Sequence, residues 1–408
     1  MRKIVNGIYD VGVLDPNLRI FDVIMKTEFG TSYNAYIVKG SEKTALIETV
    51  HKSFFSAYIE QIEEIVDLSE VDYLVMNHNE PDHSGSIAQL LQRYPNITVI
   101  ASQAGCAYLK NIVNLPGMQI KTVRDGDTVS LGDKTLQFLI APFLHWPDSM
   151  FTWVPEEKVL FSCDFLGAHY CEPQLLDERV VYPEYYWASL QNYYDAIFAP
   201  FGDYVAKGLD KISGLDIRFA CPSHGPVLTG EGFLPEVIRR YRNWCRPARQ
   251  GQTSIPIFYC SAYGNTAQLA EAIAEGIREV LPHAAVECFN IIEHNMEALQ
   301  KRLNESTAFL LGSPTINRDA LSPLWVLLAH VDAIRIPKRP AAVFGSYGWS
   351  GEATGSLAAR LQTLKVDVFK KQFRIVFVPT EEDLVAAREF GREFAAATGI
   401  GKPTNKIS

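Results

Sequence analysis

Four metal-competent side chains, His78, Glu80, Asp82 and His83, sit on one short loop, Asn77-His78-Asn79-Glu80-Pro81-Asp82-His83-Ser84-Gly85. An apolar run at 71–76 precedes the loop and reads as a strand; a helical stretch at 85–94 follows it. Alternate spacing sends His78, Glu80 and Asp82 in a common direction if the loop begins extended. The plain alternative is a polar capping loop, with Ser84 as the cap of the next helix. Four ligand-type groups in so short a span favour a metal. His145, Asp164 and His224 each follow a further strand-like run, and such strand ends are where open α/β sheets hold ligands. Buried acids and imidazoles are costly without partners, so one shared site makes sense of all seven, enough for two ions. Imidazoles and carboxylates without a thiolate disfavour structural zinc and suit iron or manganese as well as zinc.

A second group of residues points to a phosphate and a flat ring. Ser261, Ala262, Tyr263, Gly264, Asn265 and Thr266 follow an apolar run at 255–259 and open a helix expected at 266–280. Small and hydroxyl residues at a strand-to-helix turn aim N–H groups and hydroxyls at a phosphate, aided by the helix dipole. The lysine of a Walker loop is absent, as is G-x-G-x-x-G. The S-x-Y-G-N-T run is similar to the phosphate loop of flavodoxins. Two later loops follow further strand-like runs: Ser313, Pro314, Thr315, Ile316 and Asn317, and then Ser346, Tyr347, Gly348, Trp349, Ser350 and Gly351. Glycines let backbone approach a ring, and Tyr347 or Trp349 can stack on isoalloxazine.

The elements that must position these residues fall into two halves. The polar stretch 241–254 has no sustained periodicity, so the boundary is expected near residue 250, giving 1–250 and 251–408. In the first half, runs at 33–38, 44–47, 71–76, 97–101, 135–141, 150–153, 159–162 and 217–221 read as strands, with a hairpin turn at 39–42 and helices at 54–65 and 85–94. Many strands with helices outside imply two packed sheets between helical layers. In the second half, strands at 255–259, 286–290, 309–312, 341–345 and 374–378 each precede a helical stretch. Five such βα units imply a parallel sheet covered on both faces, doubly wound in the flavodoxin manner.

Composition narrows the class. The chain has 408 residues, 47% of them hydrophobic, and 38 basic against 47 acidic residues, a net charge of −9. That balance argues against nucleic-acid binding, and no apolar run is long enough for a membrane span. Seven scattered cysteines with no C-x-x-C pair argue against a disulfide framework or a zinc ribbon. With no signal-peptide pattern at the start, the expected compartment is the cytoplasm. No Ser/His/Asp or Cys/His nucleophile set emerges. His51, His169, His283, His294 and His330 read as surface or core residues rather than ligands, with lining of the metal pocket as the alternative for His169, five after Asp164. Trp146 either walls the metal site or packs, and the Tyr- and Trp-rich run at 182–194 reads as a helix face buried between domains or subunits.

The pattern His78-x-Glu80-x-Asp82-His83, with His145, Asp164 and His224, resembles the metallo-β-lactamase ligand set, with Glu80 standing where the hydrolytic form has a histidine. An anionic oxygen ligand there favours iron over zinc. A metallo-β-lactamase-like half joined to a flavodoxin-like half resembles the flavodiiron (A-type flavoprotein) family over nearly the whole chain. The resemblance implies an α/β fold: an αββα sandwich followed by a doubly wound five-stranded parallel sheet. It implies a diiron centre and FMN, with His78, Glu80 and His145 on one iron, Asp82 and His224 on the other, Asp164 bridging, and His83 either coordinating or yielding to water. It implies reduction of O2 to water, of NO to N2O, or of both, in a head-to-tail homodimer or a homotetramer. The chain is expected to finish with its flavodoxin half, so electrons would come from a separate donor: rubredoxin, a reductase or reduced deazaflavin. Two rivals are a zinc hydrolase, against which Glu80 argues, and an electron carrier with a scaffold-like first half, against which the intact ligand set argues.

Overall fold

A computed structural model describes residues 2–22, 25–245 and 253–400. The chain forms two compact units, Met1–Pro247 and Ala248–Ser408. The expected boundary near residue 250 lies outside the described residues.

Beside two short two-stranded ribbons, Val13–Asp15 with Thr31–Tyr33 and Ile20–Phe21 with Met25–Lys26, the first unit carries two large sheets face to face. One runs in the order Arg2–Val5, Ile8–Asp10, Tyr36–Lys39, Thr44–Ile47, Tyr73–Met76, Thr98–Ser102, Ile120–Val123; the other runs Thr128–Ser130, Thr135–Ile140, Met150–Val154, Val159–Cys163, Phe219–Pro222, Leu228–Thr229. Alternation along each strand divides its side chains between two cores. Val75, Ile100, Met150, Val159 and Phe161 meet between the sheets, with Tyr36 and Phe138. Leu74 and Val99 face the other way, onto Tyr58 and Ile62 of helix Phe55–Glu63 and Leu109 of helix Gln103–Ile112. Phe151 and Leu160 do the same for the second sheet, under Tyr186, Leu190, Leu209 and Tyr241 from helices Pro183–Tyr193, Gly202–Ile212 and Leu234–Trp244. The layering is therefore helix, sheet, sheet, helix.

Strand direction decides where ligands gather. Tyr73–Met76 runs parallel to its two neighbours in the first sheet. In the second, Val159–Cys163 and Phe219–Pro222 are parallel, and Thr135–Ile140 shares their direction because two antiparallel steps separate them. Their carboxyl ends meet at one rim, where the Met150 amide donates to the Asn77 carbonyl across the sheets at 2.9 Å. The strand expected at 71–76 starts at Tyr73 because 68–70 form a 3-10 turn capped by Asp67, whose side chain accepts from the Ser69 amide at 2.8 Å. Within the first unit the run 182–194 places Tyr186 and Tyr193 in the core and leaves Tyr182 and Tyr185 exposed.

In the second unit every strand pair is parallel, in the order Ala285–Asn290, Ser254–Tyr259, Phe309–Gly312, Pro340–Tyr347 and then a fifth position filled by two pieces, Asp367–Val368 and Phe373–Val376. Apolar clusters cover both faces. Helices Asn265–Val280 and Glu381–Ala397 lie on one face, close enough that a β-carbon at Gly276 would collide with the Arg388 carbonyl, and one at Gly391 with that of Ile273.

Candidate metal centre and flavin cleft

The seven ligand candidates converge at the rim of the first unit. His78, Glu80, His145 and Asp164 form one group of ligand atoms, and Asp82, His83 and His224 another. Asp164 belongs to both through different atoms. Its Oδ2 lies 3.2 Å from His145 Nε2 and 3.7 Å from His78 Nε2, while its Oδ1 lies 3.1 Å from His83 Nε2 and 3.5 Å from His224 Nε2. Glu80 Oε2 closes the first group, 3.0 Å from His145 Nε2 and 3.2 Å from His78 Nε2. Asp82 closes the second, 3.1 Å from His224 Nε2 and 3.4 Å from His83 Nε2. All four imidazoles thus aim Nε2 inward, and one carboxylate faces both groups.

Local sequence explains the aim. Glu80 ends the extended part of the loop and Pro81 begins the short helix Pro81–Ser84 at the position proline favours. That turn brings Asp82 and His83 back beside Glu80. The plain alternative, Ser84 as cap of the next helix, is not what forms: its hydroxyl donates to the carbonyls of Asn79 (2.9 Å) and Glu80 (3.1 Å), bracing the loop itself.

Buried partners fix the rings from behind. Asp148 Oδ1 lies 3.2 Å from His78 Nδ1, and its Oδ2 accepts from the Asn79 amide (2.8 Å) and Asn79 Nδ2 (2.9 Å). The Ser32 carbonyl lies 2.6 Å from His224 Nδ1. A carbonyl only accepts, so His224 carries its proton on Nδ1 and leaves the Nε2 lone pair for a metal. Glu48 Oε1 accepts from the Asn77 amide at 2.7 Å, and Thr49 donates twice to the His83 carbonyl, through its amide and its hydroxyl. The Cys163 thiol stands beside His83 and Asp164 and is pushed well up by burial and by Asp164. Asp148, Glu48, Thr49, Ser32 and Cys163 were not picked out by sequence reasoning; only Cys163, next to Asp164, carries a local signal.

Both oxygens of Asp82, Asp164 Oδ1 and His83 Nε2 are buried without a hydrogen-bond partner. Orphaned polar atoms are costly in an interior, and these converge on the same space, so the residues present fit metal ions. Without metal, the site neutralises itself with protons. Burial opposes charge on His78, yet hydrogen bonds to Asp148 and Glu80 hold its pKa well above the usual imidazole range. The same contest raises His145, and Asp82 and Asp164 take His83 to about 10 against its burial. Asp164 and Glu80 are held low despite burial by the imidazoles around them. Burial pushes Glu48 up to about 8, with His83 pulling the other way.

A cleft of about 570 Å³ opens onto Glu80 and Asp82, its mouth formed by Phe21, Asp22, Tyr33, His51, Phe54 and Trp146. Trp146 meets His78 edge-on at 5.0 Å, so it walls the site, and His51 also lines the cleft. His169 is buried against His224, 4.6 Å between the rings, with Nδ1 2.8 Å from Thr31 Oγ1.

In the second unit a cleft of about 370 Å³ is lined by Ala262, Tyr263, Asn265, Pro314, Thr315, Ile316, Asn317, Ser346, Tyr347, Gly348, Trp349 and Ser350, all expected, and by Arg318 and Phe377, which were not. The other five expected residues stand behind it. Gly264, in the left-handed region at φ 86°, forms the N-cap of helix Asn265–Val280, and Ser261 Oγ accepts from the Ala267 amide at 3.3 Å. Buried Thr266 bonds Ser346 Oγ at 3.0 Å, joining the first loop to the third. Ser313 Oγ accepts from the Leu321 amide at 3.0 Å, and Gly351 lies against the Tyr347 ring. A helix N-terminus, free loop amides and aromatic rims suit a phosphorylated flat-ring cofactor such as FMN.

Comparison with known proteins agrees with this division. The family model described as ODP family beta lactamase matches residues 31–225, and the flavodoxin model matches 257–391. The flavo-diiron protein FprA2 of Clostridium acetobutylicum is 52% identical across 96% of this chain and 98% of its own. An anaerobic nitric oxide reductase flavorubredoxin of Pectobacterium carotovorum is 33% identical over 96% of this chain and 77% of its own. The solved rubredoxin oxygen:oxidoreductase of Desulfovibrio gigas is 28% identical, covers 97% of this chain and 98% of its own, and has a TM-score of 0.69. With an αββα sandwich carrying a doubly supplied Asp164 and a flavodoxin-like unit beside it in sequence, the chain belongs to the flavodiiron protein family.

Proposed function

We propose that this chain reduces O2 to water, NO to N2O, or both, at a non-haem diiron centre, with electrons relayed through FMN. Asp164, with one oxygen toward each ligand group, carries the reading. His78, Glu80 and His145 would hold one iron, Asp82, His224 and His83 the other, and Asp164 both. Two ferrous ions and reduced FMN together supply four electrons, the number O2 needs to reach water without release of partly reduced oxygen. The chain's own part is positional. Asp148 and the Ser32 carbonyl hold His78 and His224 with Nε2 inward, and Phe21, Tyr33, Phe54 and Trp146 line the approach. Support for the substrates comes from the names of relatives, a nitric oxide reductase and an oxygen oxidoreductase.

The test is metal analysis of the purified protein followed by anaerobic reduction and side-by-side consumption of O2 and NO. About two irons and one FMN per chain, with turnover of at least one gas, is the expected result. Zinc in place of iron, or no consumption by iron-loaded protein, overturns it.

The donor is proposed to be a separate rubredoxin, reductase or reduced deazaflavin. The active form is proposed to be a head-to-tail homodimer, or a pair of such dimers, in which FMN of one copy serves the irons of the next. Mixing an Asp164→Ala chain with a chain disabled in the flavin loops should restore part of the turnover; no restoration argues for electron transfer within one chain. Seven scattered cysteines with no C-x-x-C pair support a reducing compartment, the cytoplasm, and among the described residues no helix is long and apolar enough to cross a membrane.

A further inference from the structure

We propose that Arg318 and Glu352 form a charge pair that sets the redox potential of the flavin, Arg318 raising it and Glu352 lowering it. The inference rests on the flavin reading above and concerns residues that reading did not use. Ile316 and Asp319 exchange both backbone hydrogen bonds at 3.2 Å, and the two residues between them are left-handed, Asn317 at φ 55° and Arg318 at φ 63°. That is a two-residue primed turn, whose second central position favours glycine. Arginine there holds a strained backbone, and its side chain, 82% exposed, gains no core packing in return. Strain kept at a cleft-lining position points to a use for the guanidinium.

That use is electrostatic. Arg318 Nε donates to Glu352 Oε1 at 3.1 Å, and a hydrogen bond from Ser350, with Arg318 adding to it, holds the Glu352 carboxyl below its usual range. Glu352 directly precedes helix Ala353–Thr363, on the loop after strand Pro340–Tyr347, so the pair spans the two loops expected to hold the ring. Arg374 also lies nearby, over the Tyr347 ring at 5.9 Å, and stays constant in the comparisons below. Two electrons from an external reductant and one proton convert the neutral oxidised ring to a reduced ring with one negative charge. A neighbouring cation favours that product; a carboxylate opposes it.

The experiment is spectroelectrochemical titration of the FMN-loaded full chain at mildly alkaline pH. Arg318→Gln should lower the two-electron midpoint potential and Glu352→Gln should raise it. Each should change the ratio of reduced to oxidised FMN affinity about three- to tenfold, about 15 to 30 mV for a two-electron couple. The double variant should return close to the parent, and molar salt should shrink both shifts because Arg318 stands in solvent and Glu352 is partly exposed. Arg318→Gly should lower the potential too while raising the thermal midpoint, since glycine relieves the turn. Shifts of the same sign in both single variants, or none with FMN still bound, would make the pair a mechanical clasp and overturn the proposal. A parent chain that takes up no FMN would instead sink the flavin reading itself.

Discussion

Around Asp164 every candidate ligand atom belongs to a side chain, and none of the seven side chains is more than 15% exposed. Around the cleft of the second unit the large aromatic side chains stand in solvent, Tyr263 at 90% and Trp349 at 89% exposure. The first region is built of side chains held by buried partners: Asp148, the Ser32 carbonyl and the Glu48–Thr49 pair. The second offers loop backbone and exposed aromatic rims. A site of the first kind should fail after an isosteric change of one atom. A site of the second kind should lose affinity by increments. Metal binding and flavin binding should therefore respond to mutation on different scales.

The largest effect is expected at the atom pair shared by the two ligand groups. Asp164→Asn keeps the shape and removes the charge that faces all four imidazoles. Gas consumption should fall by more than about 100-fold, beyond what loss of an outer hydrogen-bond partner costs, while FMN content stays at the parent level. Iron per chain, measured alongside, should drop below two. Parent-level turnover would break the contrast at its root.

Asp148→Asn tests the bracing alone, because Asp148 touches His78 only from behind. Metal affinity should fall about 10- to 100-fold, with no change in the flavin potential. Competition with a chromophoric chelator reads the affinity directly. An unchanged value would mean that the strand ends alone orient His78.

On the flavin side, Trp349→Ala should weaken FMN by about 1 kcal/mol, roughly fivefold in Kd, the scale of one lost aromatic contact. Flavin fluorescence on titration measures it, and iron content should not move. Complete loss of FMN would show that the open cleft is as unforgiving as the buried site.

The same contrast explains what could be read from the residues. Candidate metal ligands announce themselves as polar groups directly after apolar runs, so His78 to His83, His145, Asp164 and His224 are visible one at a time. Their bracing is not. Glu48 and Asp148 lie 29 and 69 residues from the Asn77 and Asn79 amides that they accept from, and no local pattern marks an acid as buried. The capping alternative for Ser84 does not form because a hydroxyl at a helix start can equally donate backward to carbonyls. Phe377 was taken as part of a strand reaching residue 378; at φ 57° it turns left-handed just after Val376, ending the strand and moving its ring to the cleft. Arg318 was missed because a primed turn without glycine leaves no sequence signature. The two-sheet layering was legible from strand count and spacing, since strands buried on both faces read as continuous apolar runs.

The smallest expected effect separates the regions by pH. In the metal-free chain the folded pKa of His83 is about 10, and those of His78 and His145 are also raised, whereas an unfolded imidazole titrates near 6.5. Their stabilising pairs with Asp164, Asp82 and Glu80 are complete below that value and are lost as pH rises toward the folded pKa, because the folded chain then holds protons that the unfolded chain has released. Glu48 adds the same sign in its own window. Protonated up to about 8 when folded and ordinary when unfolded, it makes folding less favourable as pH climbs from the carboxylate range to 8. Bound metal expels the imidazole protons and removes most of that dependence. Calorimetry of metal-free protein from mildly acidic to alkaline pH should therefore show the transition of the first unit moving down, by about 2 to 4 °C for each kcal/mol lost, while that of the second unit holds. Loading with metal should flatten the first. Glu48→Gln should flatten it in part, with the Asn77 amide still satisfied by the amide oxygen. A first-unit transition equally steep with and without metal would mean that the imidazoles keep their protons, and that the ring of ligands seen here is a set of ion pairs rather than a metal centre.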